Sequence, residues 1–155
     1  MPTGSLLALA LLPLTGIFFL TTLLGGLRAL RKREPISLKV TGPLFFYRRI
    51  QSTLVRGREV DLLLLAIACA QNVLRLSYGY LAALFLMNSQ RTSPAEIAIF
   101  AMFVLFSLVL GDIVPRLWSI RYPDIALKVA SPVSSLVLSI LLPITLPFLW
   151  VSGRW

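Results

Sequence analysis

The chain has 155 residues, of which 57% are hydrophobic and only 14% charged. That is too apolar for a soluble domain of this size and too short for more than one membrane domain. The formal net charge of +9 does not indicate nucleic acid, because nine of the fifteen Lys and Arg residues cluster between Arg28 and Arg58, with no interleaved platform of base-stacking aromatics.

The first apolar segment, Leu6–Leu27, contains Pro13, which predicts a kink. No positive residue precedes it and a basic stretch follows, the reverse of a cleavable leader. The positive-inside rule places the amino terminus outside and the basic loop 28–59 in the cytoplasm of a multi-pass cell-membrane protein. Pro35, Gly42 and Pro43 divide that loop. Its piece Leu44–Leu54 sets Phe45, Phe46 and Tyr47 beside Arg48 and Arg49, which suits an amphipathic helix on anionic headgroups. Within the first segment, Thr21/Gly25 and Thr22/Gly26 are overlapping small-xxx-small pairs. They fit close helix packing, or else hydroxyl oxygens offered to a cation.

The second segment, Val60–Met87, is long enough to span with tilt. Gln71, Asn72 and Arg75 lie in its middle, and Asn72, Arg75, Gly79 and Ala83 fall on one helical stripe suited to facing other helices. Gln71 reads as interhelical hydrogen-bonding glue. The connection Asn88–Ala95 ends in Ser93-Pro94-Ala95-Glu96, an N-cap followed by a first-turn proline. The third segment runs from Ala95 to about Gly111 and is almost wholly apolar from Ile97 to Leu110.

At its end stands Asp112, in Gly111-Asp112-Ile113-Val114-Pro115-Arg116. An acid at that depth costs about 2.5–3.5 kcal/mol on insertion scales, so it needs a partner or a task. Gly111 and Pro115 mark a bend or break of the helix, of the kind that lines ion sites. Asp112 also fits a plain N-cap of the helix that follows. Arg75 needs a partner too, and Asp112 is expected to approach it directly or through water.

The fourth segment, Val129–Val151, is interrupted by Pro132, Pro143 and Pro147. It reads either as a span or as a bent interfacial belt anchored by Trp150 and Trp155. The lone Cys69 excludes an internal disulfide, and the absence of His leaves oxygen ligands, which suit hard cations. No nucleophile–base pair or phosphate loop is present, so the chain is not expected to be an enzyme.

Leu108-Val109-Leu110-Gly111-Asp112-Ile113-Val114-Pro115-Arg116, followed by Arg121-Tyr122-Pro123-Asp124-Ile125-Ala126-Leu127, resembles the signature of the CNNM/CorC transmembrane domain. That signature reads Gly-Glu-hydrophobic-hydrophobic-Pro-Lys, then an Arg-Asn-Pro-Glu-like turn. The resemblance implies an all-α integral membrane fold: three transmembrane helices plus a Pro-rich juxtamembrane belt helix, with four spanning helices as the alternative. It implies a homodimer, or a heteromer with a related membrane protein, in the lipid bilayer. The implied activity is magnesium transport of the magnesium/cobalt efflux type, coupled to sodium, with bound Mg2+ or Na+ and no other cofactor.

The implied ligands are Asp112 for the family's acid and Asn72 for one of its asparagines, with Thr21 or Thr22 supplying hydroxyl oxygen. Two positions depart from the pattern: Leu23 stands where the family carries Glu, and Arg75 where it carries a further Asn. Residues 1–155 are expected to form a single transmembrane domain without the cytoplasmic CBS pair. Two expectations follow. One is a divalent-cation transporter built around Asp112. The other is a degenerate paralogue, structural or regulatory, in which Arg75 neutralises that acid.

Overall fold

The computed structural model describes residues 3–33, 59–88 and 94–153. All regular structure there is helical: α1 (Thr3–Arg33), α2 (Glu59–Asn88), α3 (Pro94–Leu108), a π turn (Val109–Ile113), α4 (Val114–Arg121) and α5 (Pro123–Gly153). The piece Leu44–Leu54 and the cap at Ser93 lie outside the described residues.

α1 is the hub. It packs against α2, α4, α5 and the π turn, and it buries Leu20, Thr22, Leu23 and Leu27 almost completely. Leu23, at the position where the resemblance would put an acid, is an apolar core residue beside Ile67 and Leu138. Glycine makes the close approaches. A Cβ on Gly25 would fall on Ser119 Oγ, and one on Gly26 would lie 3.0 Å from Leu127 Cγ, so both small-xxx-small pairs are used for packing. Pro13 lies within a single continuous helical element.

Among the described residues three stretches are long and apolar enough to cross a membrane: Ala8–Ala29, Ile97–Arg121 and Pro123–Pro147. The fold class is therefore all-α with three such helices. The Pro-rich segment is one of them. Despite Pro132, Pro143 and Pro147 it forms one helix from Pro123 to Gly153, packed along α1 and α2 through a small-residue face of Ala126, Ala130 and Ser134. α2, with 30 residues against 31, is nearly as long, but this segment, expected from the sequence to span, is not among the three; its apolar run is interrupted by Gln71, Asn72 and Arg75.

The third segment does not end at Gly111. It continues helically to Arg121, and the anticipated break is a π turn in which Val114 N–H bonds to Val109 O. Pro115 supplies the reason. In regular α geometry its ring would press on the Gly111 carbonyl, and it has no N–H to offer, so the turn widens. Asp112 does not cap α4; the N-cap is Ile113, with no side-chain capping bond. The true break comes at Tyr122, with φ −132° and ψ 67°, where the following Pro123 excludes helical backbone.

Thr22, Ser77, Ser139 and Thr145 each donate to a carbonyl one turn back, which hides their polarity from lipid, whereas the buried Ser131 and Ser134 hydroxyls of α5 have no partner among the described residues.

Candidate functional site

α2 and the π turn bring Arg75 and Asp112 together. Arg75 Nη2 donates to Asp112 Oδ1 at 2.6 Å and to Oδ2 at 2.7 Å. One nitrogen thus holds both carboxylate oxygens. The pair is not sealed within the protein, since the side chains are 47% and 33% exposed.

Arg75 and Asp112 form a wall shared by two cavities. The larger, of about 620 Å³, is also lined by Thr21, Gln71, Arg28 and Arg116. The smaller, of about 220 Å³, lies between Ile17 and Ser107. The floor of the larger one is polar: Gln71 Nε2 donates to Thr21 Oγ1 at 3.0 Å, joining α1 to α2, and both residues are buried. Gln71 is therefore the interhelical glue. Gln71→Leu should cost about 1 kcal/mol in an unfolding titration, within the range for a membrane interhelical hydrogen bond.

The residues singled out from the sequence separate into two groups. Asp112, Arg75 and Thr21 line one cavity. Thr22 is buried and donates to Phe18 O, outside that lining. Asn72 is exposed on α2, one residue past Gln71 and turned away from the cavity. Gly111 is buried against Ile17, and Pro115 is buried in the first turn of α4. The stripe Asn72, Arg75, Gly79 and Ala83 lies on the exposed side of α2 rather than against the bundle, and a Cβ on Gly79 would meet nothing within 4 Å.

Sequence reasoning missed Arg28 and Arg116 as cavity residues, counting them only as charges at the basic end. The signal was present. Arg28 follows Thr21 by seven residues, two turns along one face, and Arg116 follows Asp112 by about one turn. Among the described residues no three His, Cys, Asp or Glu side chains converge, so Asp112 is the single acid of the site.

Comparison with curated proteins returns no match, nor does comparison with solved structures. The family model described as CNNM, cyclin M transmembrane N-terminal domain, matches residues 57–155. That span covers α2, the π turn with Asp112, and everything after it, well over half the chain. On that match the chain belongs to the CNNM family, a family of membrane domains associated with divalent-cation transport.

Proposed function

We infer that this chain is a CNNM-family membrane domain in which Arg75 takes the place of the transported cation at Asp112. It then acts as a structural or regulatory partner, in a homodimer or with a related membrane protein, rather than as a sodium-coupled magnesium exporter. The observation that carries this reading is the capture of both Asp112 oxygens by Arg75.

The chemistry favours the arginine. Magnesium needs near-octahedral oxygen coordination at about 2.0–2.1 Å and gives up water reluctantly. Of the oxygen ligands expected, only Asp112 and Thr21 line the cavity, and Thr21 Oγ1 already accepts from Gln71. Three arginines against one aspartate give the lining a formal charge of +2, which repels a dication. The exposed third helix, with only 6% of its apolar window buried, leaves a large surface for lipid or a partner chain.

Magnesium and sodium flux in proteoliposomes tests this. The native chain should show no flux above empty vesicles, and Arg75→Asn should acquire magnesium flux that Asp112→Ala removes again. The competing reading, sodium-coupled efflux, draws on Thr21 and Asp112 sharing one cavity. Native magnesium flux abolished by Asp112→Ala would establish it and overturn ours.

A further inference from the structure

Once Asp112 is matched by Arg75, the larger cavity keeps two more guanidiniums, those of Arg28 and Arg116. Among the described residues neither has an ion-pair partner. They approach from different helices, Arg28 from the late part of α1 and Arg116 from the first turns of α4. Gly25 sets their spacing, because the missing side chain lets Ser119 and the Arg116 backbone come down onto α1.

Below them the floor offers donors. Thr21 and Gln71 are only 3% and 7% exposed. Thr21 Oγ1 accepts its bond from Gln71, so its own O–H remains to be given, and Gln71 keeps a second amide hydrogen. Arg75 spends a single nitrogen on Asp112, and the rest of its fork is not used there. Guanidinium, hydroxyl and amide donors therefore line one space, and its only carboxylate is already neutralised.

We propose that this cavity binds a terminal, non-bridging phosphate, carried either by a phosphatidic-acid-type lipid of the adjoining leaflet or by free inorganic phosphate. A tetrahedral oxyanion has acceptors in every direction and suits a ring of donors, and guanidinium forks match its oxygens in pairs. The volume of about 620 Å³ falls in the range of small-ligand pockets, roughly 300–1,000 Å³, with room around the phosphate. The cavity lies at the end of the bundle from which the basic stretch Arg28–Arg58 leaves, where anionic lipid collects around basic segments. The site goes beyond the functional reading above, since Arg28 and Arg116 carry it whether or not Arg75 excludes a cation.

The test uses the full chain in phosphatidylcholine nanodiscs. One arm adds phosphatidic acid and the other adds inorganic phosphate, with thermal shift and native mass spectrometry as readouts. A raised melting temperature is expected in at least one arm. Response to phosphatidic acid alone assigns the lipid source, and response to inorganic phosphate assigns the free ion. Arg28→Gln and Arg116→Gln should each weaken binding about tenfold, the scale of one charge-assisted hydrogen bond. Arg121→Gln is the control, because that guanidinium stacks over Tyr122 at 5.8 Å and does not line the cavity. No response in either arm overturns the proposal, as does an equal loss in Arg121→Gln, which would reduce the effect to general surface attraction. A chain that binds phosphate and also transports magnesium overturns only the functional reading. A chain that does neither overturns only this one.

Discussion

Removing either member of the Arg75–Asp112 pair should destabilise the chain by about 2 kcal/mol, while removing both should cost markedly less. The estimate lies between two limits. Solvent-exposed pairs contribute about 0–1 kcal/mol, and breaking a fully buried pair costs about 3–5 kcal/mol. With side chains 47% and 33% exposed, this pair stands between them, because both residues line cavities rather than an open surface. Asp112→Leu strands a guanidinium, and Arg75→Met strands a carboxylate. The double variant strands neither. Unfolding of the four proteins in bicelles gives the coupling energy directly. Simple additivity would mean that the two charges do not hold one another, and the functional reading would lose its foundation.

The second large effect is steric. Gly25→Leu should cost about 3 kcal/mol or prevent folding, because overpacking a full contact costs about 1–3 kcal/mol even where neighbours can shift. Here they cannot shift freely. Ser119 is completely buried and its Oγ donates to Arg116 O at 3.0 Å. Any side chain at 25 must break that bond or push α4 off α1. Gly79→Leu is the matched control, since a Cβ there meets nothing within 4 Å. On the isolated chain it should change stability by less than about 0.5 kcal/mol, the usual range for uncrowded surface positions. A large loss at Gly79 as well would report that another chain covers that side of α2.

Much of this was legible because charge in an apolar sequence is expensive. Asp112 and Arg75 each needed an answer, and the cheapest answer for both was the other. The apolar runs gave the helices for the same reason, since backbone in lipid must satisfy itself. Helix rotation was not legible. Gln71 and Asn72 are adjacent amides, about 100° apart around α2, and nothing local says which one faces α1. Thr21 decided it, a residue 50 positions away. The length of the Pro-rich helix was hidden too. Pro132, Pro143 and Pro147 each remove a donor, yet packing along α1 and α2 keeps α5 in one piece, a tertiary effect that propensity cannot report. Arg28 and Arg116 were overlooked because a basic end already explained them.

The π turn makes this segment tolerant of a change in length. A π turn closes a wider loop than the α turn it replaces and is equivalent to one inserted residue. Loss of a single codon between Val109 and Ile113 would let the backbone regularise. The helix on either side would keep its phase, because the wide turn had already absorbed the extra residue. Arg116 and Ser119 would stay on the face they present to α1. The cost would fall on the turn itself, where Pro115 would again press on the carbonyl four residues back and Asp112 would be re-spaced against Arg75. A one-residue deletion here therefore acts on the ion pair before it acts on the bundle.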